Sequence, residues 1–563
     1  MVVILICLFL STILFYSFGI FFLGLFKENF DKYSFFDSFF VGFCFIGTML
    51  NLWSIFLPTN IYALVALIII SILVCYKHRN LLGENLKKIL LNIKSNKLVF
   101  LLILSIILIH LLYSVGIPKN YDSYLYHINA IQWIEKYAVV PGLANLHDRF
   151  GLNSSQFVLS SAFSFNAIYN QYIFIINSLC FLIFLVWIVL YAIYKKDVFS
   201  IVALLFGYFF FWQYYSDISS PSTDLVPNLL FGFLMLKMLF NPTSIHDKGL
   251  LYIAISFFIA TFKLSFFPLI ILGMIAIYYQ KRNYFYLLKT TSLFVLIFIL
   301  PYIIRNIFLT GYLIYPLASI DVFNFDWEVS QSSVVTIHDA ICSWGKIPTK
   351  IPREVLDMSL NQWFPLWWEN GLLRNNIVFA IAVLSPLFLM FYYLTNKNSN
   401  KTNTLIAFIL SFVIFVFWFI TAPDIRFSFS VLLILCAFPI IFIKKYISKF
   451  TKIVKFLLIL FGLFFFYDFF STGDQLFLNE YKKYSKIENY LYLPNDVYYV
   501  KYNRSVAFNQ VDYKASNGSI VNFFEPKNKC TQCFDKFPCS WHLDYHLKLR
   551  GESLGDGFSI LNK

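Results

Sequence analysis

The run Asn120-Tyr121-Asp122-Ser123-Tyr124-Leu125-Tyr126-His127 holds the densest set of groups able to do chemistry. It follows the apolar stretch Leu98–Leu112, so a carboxylate, tyrosines and a histidine stand where a membrane span meets water. Ionisable groups at that depth are costly and mark functional sites by default. Asp122 is the candidate catalytic carboxylate, a general base able to take a proton from a hydroxyl. An Asp ahead of a helix also serves as an N-cap. The two roles are compatible, because one carboxylate oxygen can cap while the other faces a substrate. His127 and His147 read first as polar surface groups. Arg149 reads as a headgroup anchor or a phosphate ligand.

Other polar residues interrupt apolar surroundings further along. Asp217 and Asp224 flank Ser219-Ser220-Pro221-Ser222-Thr223, where capping of helices at both ends is the plain reading and a second carboxylate site the functional one. Lys263 stands near the middle of the apolar segment 249–279, a placement that costs about 2.5–3.5 kcal/mol at a span centre. A turn at the membrane surface avoids much of that cost. Arg305-Asn306 closes another apolar run, and Asp424-Ile425-Arg426-Phe427 separates two more. Its plain reading is an Asp–Arg pair fixing a tight turn.

The elements that must position these residues follow from composition. The chain is 59% hydrophobic and 13% charged, against about 25% charge in soluble domains, with mean hydropathy +0.70. This predicts an all-α polytopic membrane protein. About fourteen apolar runs suit spans: 2–24, 35–57, 60–76, 98–116, 172–194, 198–215, 225–240, 249–262, 264–279, 287–304, 374–394, 404–420, 427–443 and 454–471. Lysines and arginines fall in the odd-numbered short loops, and the even loops 58–59, 216–224 and 421–425 have none. By the positive-inside rule the odd loops are cytoplasmic, and the N-terminus, the even loops and the C-terminal tail lie outside. The net charge of +14 therefore reflects topology and gives no reason to expect nucleic acid. Segment 1–24 lacks a basic start and a cleavage site and reads as a retained span.

Three extra spans (1–97) precede a core (98–471) with long outer loops 117–171 and 305–373, followed by a soluble tail, 472–563. In the first loop Leu125, Ile128, Ile131, Ile134 and Ala138 form an apolar stripe. Asp122, Tyr126, Asn129, Trp133 and Lys136 line another face, so 124–138 reads as an amphipathic helix on the membrane surface, ended by Pro141-Gly142. The tail loses apolar runs, and stretches such as Asp496–Tyr502 predict strands in a small α+β module. Cys530, Cys533 and Cys539 lie there beside His542 and His546. A disulfide is the plain expectation outside the membrane, a zinc site the other, and Cys342 is a further pairing candidate.

On this topology Asp122, Arg149, Asp224, Lys263, Arg305 and Arg426 share one membrane face, four cations with two carboxylates. Arginine forks match phosphate oxygens. The chain resembles the GT-C superfamily of membrane glycosyltransferases, which take sugars from polyprenyl-phosphate carriers and place a catalytic Asp in the first outer loop. Asp122 with Tyr126 and His127 occupies that place. Ile259-Ala260-Thr261-Phe262-Lys263 resembles the Leu-Thr-Lys-Gly stretch of that superfamily. Arg305-Asn306 with Thr310-Gly311-Tyr312-Leu313-Ile314-Tyr315-Pro316 is similar to its Arg-Asn…Gly-Asn-Pro-x-Tyr-Pro pattern, and Asp424-Ile425-Arg426-Phe427 to a late Arg-Tyr motif.

The resemblance covers spans four to thirteen. It implies an inverting glycosyltransferase of a bacterial cytoplasmic membrane, facing outward. Asp122 would be its base, and Tyr126, His127, Arg149, Asp224, Lys263, Arg305 and Arg426 would bind substrate. Its partners would be a lipid-linked sugar donor and membrane lipids. Many members carry Asp-Glu or Asp-x-Asp in the first loop. Here Ser123-Tyr124 follows Asp122, which removes the motif that would support a divalent metal. Trp363, Trp367 and Trp368 are candidates for stacking on sugar rings or for an interfacial aromatic belt. The rival readings are an O-antigen-type polymerase or ligase using lipid diphosphates, and a lipid-sugar flippase. The near absence of charge within the spans ranks the flippase last.

Overall fold

A computed structural model describes residues 1–84, 97–116, 118–241, 243–348, 350–395, 401–443, 450–473, 508–514, 520–527, 536–541 and 546–560. The chain is mostly helical. In order come α1 (Val2–Leu25), α2 (Phe35–Phe56), α3 (Ile61–Lys77), α4 (Lys97–Val115), α5 (Ile128–Lys136), α6 (Ser155–Ala162), α7 (Ile176–Lys195), α8 (Val198–Tyr214) and α9 (Leu225–Phe240). Then follow α10 (Gly249–Ile259), α11 (Ile270–Lys281), α12 (Tyr284–Thr310), α13 (Gln331–Lys346), α14 (Leu360–Asn370), α15 (Leu373–Thr395), α16 (Lys401–Thr421), α17 (Ile425–Ile443) and α18 (Phe450–Gly473). Each of the apolar runs falls on a helix. Among the described residues eight helices are long and apolar enough to cross a membrane, and α3, α4, α9, α10 and α17 hold shorter apolar stretches.

The N-terminal helices are built into the core. Gly19 and Gly42 let α1 and α2 touch backbone to backbone: a Cβ on Gly42 would overlap the Phe15 carbonyl oxygen. Small residues allow such approach, and the close van der Waals packing it gives is one of the forces that associate helices in lipid. Ser34 and Asp37 form a capping box at the start of α2. The buried Asp37 carboxylate also pairs with Lys237 of α9 and Lys248 ahead of α10. At the other end of α2, Asn51 donates to Ser155 of α6 (2.7 Å), and the backbone of Val139 donates to the Ser54 carbonyl.

The segment 249–279 is two short helices with a break, as Lys263 in mid-segment predicts. α10 ends at Ile259, Lys263 is extended, and a 3-10 turn containing Pro268 leads into α11. The described part of the tail is two antiparallel pairs. β1 (Phe508–Lys514) runs against β2 (Ile520–Pro526), and β3 (Leu547–Leu549) against β4 (Phe558–Ile560). The strands expected at 496–502 lie outside the described residues.

The first outer loop departs from its expected form. The helix expected at 124–138 begins with a π turn, Ser123–His127, continues as α5 and stops at Lys136. It does not lie free on a membrane surface. Tyr126, Asn129 and Trp133 of its expected polar face are buried, as are Gln132 and Glu135, and Lys136 alone of that face is exposed. The tail covers that face: the Trp133 ring packs on Phe537 and Phe558, and Asn129 donates to the Lys536 carbonyl (3.4 Å). Glu135 accepts from Ser164 (3.0 Å) and from the Tyr172 hydroxyl (2.7 Å).

Candidate functional site

Asp122 follows α4 and starts the π turn. Its own backbone N–H donates to Asn120 Oδ1 (3.0 Å), so Asn120 performs the local capping and the Asp122 carboxylate makes no cap bond. Both carboxylate oxygens go to arginines instead, one to Arg426 Nη1 (3.1 Å) and the other to Arg149 Nη1 (3.5 Å). Arg426 is the hub. Its Nε reaches Asp424 (3.0 Å) and lies 3.7 Å from Asp224, and Asp224 in turn pairs with Lys263. The Lys263 ammonium also sits 3.4 Å over the Phe427 ring.

Aspartates 217 and 224 do not cap helices as expected. Asp224 makes no side-chain cap bond, and Asp217 accepts from Asn120 Nδ2 (2.8 Å). Ion pairing prevails over capping at Asp224 because buried carboxylates and buried cations each need the other. The turn reading of Asp424–Arg426 holds as well: Asp424 accepts from the Arg426 backbone N–H (3.1 Å) while pairing with its guanidinium.

Local sequence explains how these side chains are aimed. Ser428 leaves helical geometry inside the first turn of α17 (φ −146°, ψ 31°), which frees backbone carbonyls. Tyr214 donates to the Arg426 carbonyl (2.8 Å), and Asn228 Nδ2 reaches the Arg426 and Phe427 carbonyls (3.3 Å each). Asn228 Oδ1 accepts from Ser430. In the neighbouring loop Asn177 Nδ2 lies 2.8–3.2 Å from the carbonyls of Asp217, Ser220 and Ser222. Sequence reasoning did not single out Asn120, Asn177, Asn228 or Tyr214. For Asn177 and Asn228 the available signal was an amide inside an apolar helix, which costs free energy unless it is bonded.

Arg149 is placed by its own turn, Asp148–Gly151, and by the loop after α12. That helix ends at Gly311, whose φ of +89° suits glycine. The Tyr315 hydroxyl then donates to the Asp148 carbonyl (3.1 Å), and the Arg149 head lies 5.7 Å from the Tyr126 ring centre.

His127 and His147 are buried rather than on the surface. Among the described residues neither ring nitrogen of His127 has a hydrogen-bond partner. Burial pushes its imidazole down to about 4, with the Asp122 and Asp224 charges opposing. Burial alone would raise the Asp122 carboxyl, but Arg426, His127 and Arg149 outweigh it and hold it below its ordinary value. Burial lowers the Lys263 ammonium and Asp224 opposes that. Tyr126 is raised by burial.

Arg305 stands apart from the cluster. It is buried, and its guanidinium donates to Ser54 (2.6 Å) and Asn153 (3.4 Å). It belongs to a polar seam in which Ser154 donates to the Phe262 carbonyl and Ser155 to Thr261 (2.6 Å), next to Lys263. The directly paired set is therefore three cations with three carboxylates, balanced in charge. The expected excess of cations is not found, because Asp424 joins and Arg305 does not.

Trp363 and Trp367 pack among Phe364, Phe379 and Phe419 and are buried, so neither offers a free face for a sugar. Among the described residues no group of three or more His, Cys, Asp or Glu is arranged to hold a metal ion. Cys539 is disulfide-bonded, whereas Cys342 is a free thiol and is not its partner. Cys530, Cys533 and His542 lie outside the described residues.

The fold and site define a multi-pass apolar helical protein with a half-buried charge cluster, in which Asp224 alone is fully buried. The chain matches the family described as Domain of unknown function (DUF8201) over residues 1–433 and belongs to it. That span includes α1–α3 and every residue of the charge cluster. No curated protein and no solved structure matches the chain.

Proposed function

We propose that the protein is an integral membrane glycosyltransferase, acting at the outer face of a bacterial cytoplasmic membrane. It would move a sugar from a polyprenyl-phosphate carrier to a hydroxyl acceptor with inversion. The observation that carries this reading is the carboxylate of Asp122 held between Arg426 and Arg149, at the end of an apolar helix. The two arginines keep that carboxylate ionised, and so weakly basic, until something else takes them. The donor phosphate is that competitor. As it draws the guanidinium of Arg426, Asp122 is released and its proton affinity rises toward the value a general base needs. Asp122 then takes the acceptor proton as the hydroxyl attacks the anomeric carbon. The bond to the phosphate oxygen breaks, and Arg426, Arg149 and Lys263 stabilise the growing charge on the leaving phosphate. Arg305 positions Lys263 through the seam at 153–155.

The test is transfer by purified Asp122→Asn from a labelled lipid-linked sugar. General-base loss predicts a fall of about 10²–10⁴-fold with folding intact. Full activity in the folded Asp122→Asn protein removes this carboxylate from the mechanism. The lipid product separates this reading from a polymerase or ligase: a lipid monophosphate is expected, and a lipid diphosphate would favour the rival.

A further inference from the structure

A basic stretch leaves the end of α13 in the long loop 305–373. From Trp344 to Arg353 the chain holds Lys346, Lys350 and Arg353 and no Asp or Glu. Among the described residues no carboxylate pairs with these three, although Glu354 and Asp357 follow closely. Lys350 and Arg353 are exposed, and so are the large apolar side chains of Trp344 and Ile351. On the topology read from the sequence this loop faces outward, where the positive-inside rule asks for no cations. Cations alone suit water. Interleaved with an exposed tryptophan and isoleucine, they suit a charged boundary that is apolar on one side.

Contacts fix the depth of this stretch. Gly345 lies against the turn between α16 and α17, where a Cβ on it would stand 2.8 Å from the Ala422 carbonyl carbon. The Lys346 ammonium lies 5.4 Å from the centre of the Trp363 ring, and that ring packs on Phe419 in the last turn of α16 (centres 5.5 Å apart). One turn further along α14, Trp367 donates to the Pro423 carbonyl (2.8 Å). α16 is long and apolar enough to cross a membrane, so the stretch stands level with the end of a span, where headgroups begin. We infer that 344–353 is a docking surface for the anionic headgroups of the surrounding bilayer. Trp344 and Ile351 enter the headgroup layer, and Lys350 and Arg353 meet lipid phosphates. Each cation held near an anionic surface contributes roughly fivefold to the affinity. This surface takes bulk lipid and does not depend on the transferase reading.

The experiment measures backbone hydrogen exchange over 344–353 in the full chain. Nanodiscs of phosphatidylcholine alone are compared with nanodiscs that also contain phosphatidylglycerol. Exchange should be at least fivefold slower with phosphatidylglycerol, and the difference should shrink as salt is raised. The double variant Lys350→Gln/Arg353→Gln should exchange alike in both nanodiscs. Trp344→Ala should speed exchange in both, and thermal transitions report whether each variant folds. Equal exchange of the unaltered chain in the two lipids would overturn the inference, as would lipid-dependent protection that survives in the double variant. Equal protection by inorganic phosphate or a soluble polyuronate in phosphatidylcholine nanodiscs would overturn it too, assigning the cations to a free anion or an acidic glycan.

Discussion

At the scale of single residues, the site is a contest between burial and charge. Asp122, Arg149, Asp224, Lys263 and Arg426 were recognisable because ionisable groups are rare in so apolar a chain. Which of them pair was not, because Arg426 lies about three hundred positions from Asp122 and only the fold brings them to 3.1 Å. His127 shows the same limit. A histidine near a carboxylate reads as a surface group, yet the π turn carries it inward, where among the described residues both ring nitrogens lack hydrogen-bond partners. This has a consequence for pH. The folded imidazole is held down to about 4 from its ordinary 6.5, so between those values the unfolded chain binds the extra proton. Stability then falls as pH drops through that window and is fully present above it. Thermal midpoints of the detergent-solubilised protein from pH 7 to 4 should therefore decline, and His127→Gln should flatten the decline. An identical slope in the variant would show that His127 is not a source.

At the scale of elements, helices were legible and their irregularities less so. A strong hydrophobic run dictates a helix because an apolar medium leaves backbone groups no other partner. The break at Lys263 was readable too, because an unpaired ammonium in mid-span is expensive. The kink at Ser428 and the early stop of α5 were not, since both depend on distant partners, Asn228 for one and the tail for the other. Contact between α1 and α2 belongs at this scale. Gly42→Val should force the two backbones apart and destabilise beyond the roughly 1–3 kcal/mol of ordinary overpacking. Gly83→Ala, where an added Cβ meets nothing within 4 Å, is the control and should leave the thermal transition in place. Equal transitions in both variants would show that the α1–α2 approach is not tight.

At the scale of the whole molecule, the tail and the N-terminal helices clasp the first outer loop from two sides. Thr59 and Val139 tie the loop to the α2–α3 corner through backbone hydrogen bonds. From the other side Ser540 donates to the Leu146 carbonyl (2.9 Å) and Phe558 to the Pro141 carbonyl, while Arg550 ties the tail to Asp326 in the second outer loop. Trp133, a fully buried side chain packed on Phe537 and Phe558, anchors this clasp. Trp133→Ala should cost about 3–5 kcal/mol and unseat the tail. Limited proteolysis should then cut the C-terminal region faster than in the unaltered chain, and an unchanged cleavage rate would argue that the tail is held by its other contacts alone.

The sequence by itself determined what each segment must do in its own surroundings. Apolar runs must be helical, charged residues among them must turn toward a surface or a partner, and the tail must leave the apolar phase. These are demands of solvation, and they act on every residue locally. Only the tertiary structure decided which charges meet. It joined Arg426 to Asp122, sent Arg305 to Ser54 and Asn153, and buried Trp133 beneath the tail. Pairing depends on the path of the whole chain in three dimensions, and residues far apart along it carry no local mark of the partner they will find.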